Sequence, residues 1–268
     1  MTILDEIFAH KRIEVETRKR KIPLVVLRSI SEGAPASPGF IHAIRDAEYS
    51  PALIAEVKFA SPSKGILVEN PDPVSLVRIY AKNGAEAISV LTDEKYFHGH
   101  LDYLRRIHTA LPQVPLLCKD FICDPYQVYE ACAAGASAIL LITAYLDPFQ
   151  LVDLHALILS LRMAALVEVH NRVELEAALR LDGLGLLGVN NRDLHTFKVD
   201  LQTCLDLRSF VPEEICFVAE SGIHTGEDVH RLSAAGVDAM LIGEALVTAP
   251  DIGKKIQTLM NYKENPCT

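Results

Sequence analysis

The chain has 268 residues, half of them hydrophobic, enough to bury one sizeable core in a single domain, 1–268. With 35 acidic against 26 basic residues its net charge is −9, which argues against nucleic acid or an anionic membrane as a partner. No apolar run approaches the ~20 residues that span a bilayer, and the charged start, Met1–His10, lacks the apolar stretch of a secretory signal, so the expected location is cytoplasmic.

In chain order, Ile3–Lys21 reads as a charged helix with Glu14/Arg18 and Glu16/Arg20 spaced for i,i+4 pairs. Its basic run, Arg18-Lys19-Arg20-Lys21, reads as a solvated helix face rather than a nucleic-acid contact. Ser31–Gly39 carries two prolines and two glycines and reads as a linker, with Phe40–Arg45 a short helix after it. Residues 1–50 are therefore expected to form an N-terminal extension that covers the mouth of the main body.

From residue 53 onward the chain runs through eight short apolar stretches, each ending in a polar or glycine-containing site and each followed by a helical pattern. These are Leu53–Phe59, Ala87–Leu91, Pro115–Asp120, Ser137–Ile142, Ala165–Val169, Gly185–Val189, Ile215–Ala219 and Ala239–Ile242. One phrase recurs before the second, fourth and eighth: Gly84-Ala85-Glu86-Ala87-Ile88, Gly135-Ala136-Ser137-Ala138-Ile139 and Gly236-Val237-Asp238-Ala239-Met240. In each, glycine stops a helix in the left-handed conformation and small residues lead into a strand. Asp72-Pro73, Asp124-Pro125 and Asp147-Pro148 supply a carboxylate cap followed by proline at the first helical position. Such alternation predicts right-handed crossovers and an α/β fold, a (β/α)8 TIM barrel with an N-terminal helical extension. A doubly wound open sheet would bring a glycine-rich turn after the first strand, and there is none.

In such a barrel the C-terminal strand ends converge on one mouth. Glu56 and Lys58 are two apart in the first strand and share a face. Lys119 in the third run and Glu168 in the fifth are likewise charges set in apolar surroundings, which are costly to bury unless paired or used. One such pair would read as an ion pair closing a barrel end; charges from three strands point to catalysis. Ser221 and Gly222 after the seventh run, and Gly243 and Glu244 after the eighth, stand where barrels often hold a phosphate. Ser61-Pro62-Ser63-Lys64-Gly65 adds hydroxyls and N–H groups beside them.

The segment Ile54-Ala55-Glu56-Val57-Lys58-Phe59-Ala60-Ser61-Pro62-Ser63-Lys64-Gly65 closely resembles the signature of the indole-3-glycerol phosphate synthase family, the ring-closing enzymes of tryptophan biosynthesis. Cys118–Ile122 with Asp124–Gln127, Leu166–His170, Gly188–Leu194 and Ala219–Ile223 resemble family segments in the same order, so the likeness covers nearly the whole chain. Nothing at either end suggests a fused second enzyme. The resemblance implies a carboxy-lyase that converts 1-(2-carboxyphenylamino)-1-deoxyribulose 5-phosphate to indole-3-glycerol phosphate, carbon dioxide and water. By that likeness Lys119 is the acid for ring closure, Lys58 anchors the carboxylate and assists, Glu168 moves a proton in dehydration and Glu56 orients the lysines. The sequence leaves open how the two lysines divide the acid role. Asn190 and Arg192 resemble residues that hold the substrate hydroxyls and carboxylate, Glu220 one that steadies the site, and Phe121 is a candidate to stack on the aromatic ring. Ser61, Ser221, Gly222, Gly243 and Glu244 are the phosphate candidates.

No metal and no redox cofactor is expected, because restored aromaticity drives the decarboxylation. The partner is a phosphorylated small molecule, and the protein is expected to be a monomer or weak homo-oligomer. A metal-dependent hydrolase would use His98-Gly99-His100, which reads instead as loop histidines. Another phosphosugar-binding barrel enzyme would have no evident need of both lysines and Glu168, and an inactive barrel acting as a binding subunit no need of the full set. Thr143-Ala144-Tyr145 is more polar than the family pattern and bears on the shape of the ring pocket. The six cysteines, Cys118, Cys123, Cys132, Cys204, Cys216 and Cys267, form no C-x-x-C pair and are expected to be reduced.

Overall fold

The computed structural model describes residues 3–33, 38–62, 64–193, 196 and 198–260. Eight strands, β1 (Ala52–Val57), β2 (Ala85–Leu91), β3 (Leu116–Lys119), β4 (Ala138–Ile142), β5 (Ala164–Val169), β6 (Leu186–Asn190), β7 (Cys216–Glu220) and β8 (Ala239–Ile242), pair in parallel and close into a barrel. The closure is β1 against β8, in register Leu53↔Met240 and Ile54↔Leu241. Alternation explains why nearly every strand residue is buried. Ile54, Leu117, Leu140, Leu166, Val218 and Leu241 fill the interior, while their neighbours Leu53, Leu116, Leu141, Val167, Phe217 and Met240 meet the surrounding helices.

The punctuation works as its chemistry predicts. Asp72 accepts from Val74 and Ser75 N–H at 3.2 and 3.3 Å, Asp124 from Tyr126 N–H at 2.8 Å, and Asp147 from Phe149 and Gln150 N–H at 2.9 and 3.0 Å. Each cap stabilises its helix by roughly 1 kcal/mol. Gly84, Gly135 and Gly236 have φ of 93°, 92° and 73°, where a side chain would be strained. His100 caps the helix Leu101–Ala110 through Nδ1, 3.0 Å from Asp102 N–H, so it has a local role of its own. Among the described residues no group of three or more His, Cys, Asp or Glu could hold a metal ion, and no helix is long and apolar enough to cross a membrane.

Three helices precede the barrel: α1 (Ile3–Lys21), α2 (Leu24–Glu32) and α3 (Phe40–Arg45). The sequence places the whole segment over one end, whereas the structure divides it. Ile3, Leu4 and Ile7 of α1 line the cavity at the mouth. In α3, Phe40 and Ile44 pack with Ala52, Leu186, Cys216 and Ala239 at the strand starts, and Arg45 donates to the Glu214 carbonyl, so this helix closes the opposite end. On the outer face lies α2, where Leu27 packs with Val15, Tyr126 and Tyr129 and Ser31 Oγ donates to Tyr129 O at 3.1 Å. The middle of the expected linker, 34–37, lies outside the described residues.

The basic run is not simply a solvated face. Arg18 pairs with Glu14 as expected and also reaches Glu130 at 3.3 Å, while Lys19 joins Glu16 at 2.9 Å and Asp124 at 2.7 Å. Lys19, three residues along, thus contacts Glu16 in the role foreseen for Arg20, which is exposed. Cys118, Cys204 and Cys216 are buried and Cys123 and Cys132 half-buried, all five as free thiols; Cys267 lies outside the described residues.

Candidate active site

The inward alternation carries straight from the apolar interior to a charged floor. Above Ile54 comes Glu56, above Leu117 comes Lys119, above Leu166 comes Glu168, and above Val218 comes Glu220. Lys119 Nζ stands 2.5 Å from Glu220 Oε2, 3.9 Å from Glu168 Oε2 and 4.0 Å from Glu56 Oε1. Lys58, one residue beyond β1, puts its Nζ 2.6 Å from Glu56 Oε2. The three carboxylates are nearly inaccessible, and the two ammonium groups retain some exposure toward the cavity.

The cavity above this floor has a volume of about 540 Å³. Every candidate residue lines it: Glu56, Lys58, Ser61, Lys119, Phe121, Glu168, Asn190, Arg192, Glu220, Ser221, Gly222, Gly243 and Glu244. Its two sides differ in chemistry. Leu4, Ile7, Leu91, Phe97, Phe121 and Ile142 make an apolar side, where Phe121 meets Phe8 edge-on at 5.5 Å and Phe97 at 5.9 Å between ring centres. Phe121 reaches this wall from the loop after β3, because the strand ends at Lys119. Tyr145 stays out of the cavity lining: it stacks on Phe8 at 4.1 Å and donates to Asp5, so the polar departure after β4 fastens α1.

On the other side are Ser61, Lys64, Ser221, Gly222, Gly243 and Glu244. Ser221 and Gly222 have φ of 64° and 81°, an unusual left-handed pair. Glycine is required at the second, since a Cβ would come within 2.6 Å of Val199 Cγ1. Lys64 Nζ lies 2.6 Å from Glu244 Oε1 and joins the loops after β1 and β8, a cation that the sequence reading counted only for its backbone. Ser63 lies outside the described residues.

Electrostatics separate the three carboxylates. Burial works against a charged Glu56, but Lys58 and Lys119 outweigh it and hold its pKa below the usual range. For Glu168 burial is again outweighed, by His170 first and then by Lys119 and Asn190, and its pKa falls to about 2. Glu220 goes the other way: burial, reinforced by the charges of Glu168 and Glu56, prevails over Lys119 and pushes it up to about 7. Lys119 itself is raised, the surrounding carboxylates exceeding the cost of burial.

Two supports escaped the sequence reading. His170 sits between Glu168 Oε1, 3.2 Å from its Nε2, and Glu174 Oε2, 2.9 Å from its Nδ1. Despite burial these contacts raise its pKa to about 10, so it faces Glu168 as a cation. Its signal was the pattern Glu168-Val169-His170 with Glu174 four residues on. Gly188 in β6 leaves room for a carboxylate, because a Cβ there would stand 2.3 Å from Glu220 Oε1. Gly243, expected at the phosphate, makes room in the same way, since its Cβ would lie 2.3 Å from Glu56 Oε2.

The model of the indole-3-glycerol phosphate synthase family matches residues 4–259. Relatives that bear that name include one from Roseiflexus castenholzii, 52% identical over 96% of this chain and 98% of its own length. Another, from Dehalococcoides mccartyi, is 48% identical over 96% of this chain and 100% of its own. Among solved structures, 3-hexulose-6-phosphate synthase from Salmonella typhimurium superposes with a TM-score of 0.61 at 12% identity, covering 78% of this chain and 96% of that one. KGPDC from Streptococcus mutans gives 0.62 at 9%, covering 78% and 95%. Identities so low show the shared barrel alone.

Proposed function

This chain belongs to the indole-3-glycerol phosphate synthase family, and from that premise we propose how its cavity divides the work of ring closure, decarboxylation and dehydration. The substrate has a carboxylated aromatic ring at one end and a phosphate at the other. The ring lies against Phe121 and the apolar side. The phosphate lies across the cavity, against the N–H groups and hydroxyls of Ser61, Ser221, Gly222, Gly243 and Glu244, with Lys64 beside it. Lys58 takes the ring carboxylate, and Asn190 and Arg192 take the sugar hydroxyls and share that carboxylate.

With both ends held, the ring carbon that bears the carboxylate bonds to the ketone carbon, and Lys119 passes a proton to the ketone oxygen as it becomes a hydroxyl. The carboxylate then leaves as carbon dioxide, and the electrons of the broken C–C bond restore the aromatic ring. Next the hydroxyl, protonated, leaves as water while the ring nitrogen supplies electrons, and loss of a proton from the carbon beside that nitrogen completes the indole. Glu168 handles proton transfer in this second half. The residual charges are balanced by position: Glu56 orients Lys58 and Lys119, and Glu220 steadies Lys119 from below.

The observation that carries this reading is a single ammonium, that of Lys119, ringed by Glu220, Glu168 and Glu56 at the floor of the cavity. The test is indole fluorescence from the substrate in the presence of EDTA. Wild type should turn over, and Lys119→Ala should lose about 10²-fold or more; a folded Lys119→Ala with near-normal turnover defeats the assignment. The same reading has the protein act in the cytoplasm as a monomer or weak homo-oligomer.

A further inference from the structure

Lys11 is a cation that the mechanism does not use, and it is completely buried in α1. Its ammonium lies 2.8 Å from Asp93, 2.9 Å from Asp120 and 3.0 Å from Glu14. Burial opposes the charge, yet these carboxylates together raise the pKa. A helix that only covered an opening would put an apolar residue there, since burying an ion pair seldom stabilises a fold more than packing does. The partners show what the charge is for.

Asp120 follows Lys119 in the chain, accepts from Phe121 N–H at 2.8 Å and accepts from Thr92 Oγ1 at 2.8 Å. Asp93 caps the short helix Glu94–Phe97 through Tyr96 N–H at 2.7 Å, and so places Phe97. Along α1, Ile7 and Leu4 lie four and seven residues before Lys11, on the same face. Three pieces of the apolar wall, α1, Phe97 and Phe121, therefore meet at one ammonium, while Ser221, Gly243 and Lys64 have no link to it.

We propose that Lys11 is a positioning residue for the aromatic end of the substrate: it holds α1, Phe97 and Phe121 in one arrangement and leaves the phosphate end independent. This rests on the division of the cavity given above. The experiment titrates the full chain with two probes, anthranilate for the aromatic end and inorganic phosphate for the other, alongside kcat and KM. In Lys11→Met, anthranilate affinity falls and KM rises by about 10-fold or more, as a wall displaced by an ångström requires, while phosphate affinity stays within about 2-fold. Lys11→Arg restores most of the loss. Equal loss of both probes, or loss of neither, overturns the proposal.

Phe121→Ala separates this from the underlying reading. If Phe121→Ala weakens anthranilate and Lys11→Met does not, the cavity is correctly divided and Lys11 has no such role. If Phe121→Ala leaves anthranilate unchanged, the division itself is wrong. Should Lys11→Met fail to fold, wild type decides by reciprocity: anthranilate must slow hydrogen exchange in α1 and phosphate must not, and the reverse result overturns the proposal.

Discussion

An alanine at Gly188 tests whether the position of Glu220 matters to catalysis, because the added methyl group presses chiefly on that carboxylate. It would stand 2.3 Å from Glu220 Oε1, 3.1 Å from Leu166 Cδ1 and 3.4 Å from Glu220 Cδ. Real contacts stay above 3.0 Å, so the carboxylate must retreat by about 0.7 Å. Its other oxygen sits 2.5 Å from Lys119 Nζ, so that ammonium loses its closest anchor or follows it. A misplacement of ~1 Å can cost ~10²-fold in rate, and we expect kcat to fall between about 10- and 100-fold. Stability should fall by no more than about 2–3 kcal/mol, which leaves a typical domain folded. Gly188 is not in the left-handed region, so alanine restricts the unfolded chain by about 0.4–1 kcal/mol in its favour, against about 1–3 kcal/mol for overpacking. The assay is steady-state indole fluorescence with thermal unfolding as control, repeated in the Glu220→Ala background. There the methyl group has no carboxylate to displace, and its effect on kcat should vanish. A folded Gly188→Ala with kcat within about 3-fold of wild type, or equal losses in both backgrounds, refutes the reasoning.

Gly243→Ala should act in the same way on Glu56, 2.3 Å from the added carbon, and lower kcat/KM by about 10²-fold; unchanged kinetics would leave Gly243 to the phosphate alone. His170 has its pKa raised from the ordinary 6.5 to about 10. The stability it adds is therefore fully present below pH 6.5 and lost as pH rises through about 10. Denaturant unfolding of wild type and His170→Gln should show a gap that closes over that window, and a gap independent of pH would refute a charged His170. Tyr80, fully buried, donates to the Glu56 carbonyl at 3.2 Å. Tyr80→Phe should lose about 1 kcal/mol of stability with kcat within about 2-fold, and a large loss of kcat would mean that this bond sets the height of Glu56.

How much of this was legible depends on whether the information runs along the chain or across it. Strand periodicity puts Glu56 above Ile54 and Lys119 above Leu117, so the inward charges follow from counting by two. The Asp-Pro caps and the glycines at 84, 135 and 236 are local chemistry and were equally readable. Gly188 and Glu220 are 32 residues apart in the sequence, and nothing along the chain tells that one must be small for the other to fit. The same holds for Lys11, whose place along the helix gives no sign that Asp93 and Asp120 close around it. Phe121 shows the opposite limit: its residue type was informative, but the end of β3 at Lys119 decided how it enters the wall. In α3 the sequence shows a short helix and no sign of which end of a barrel it meets.

The fastenings of α1 described above run to one arc of the rim, and one more, from Tyr96, joins them there. Tyr96 donates to Glu6 at 3.1 Å, Tyr145 to Asp5, and Lys11, Arg18 and Lys19 reach Asp93, Asp120, Glu130 and Asp124, all on segments that follow β2, β3 and β4. The rim is thereby split for anyone who would redesign it. On the proposed division of the cavity, the loops after β7 and β8 can be lengthened or recharged to accept a different anion with α1 left in place. A new aromatic group, by contrast, demands that helix and loops be altered together, because on that arc the wall proposed to hold the ring and the scaffold of the protein are the same residues.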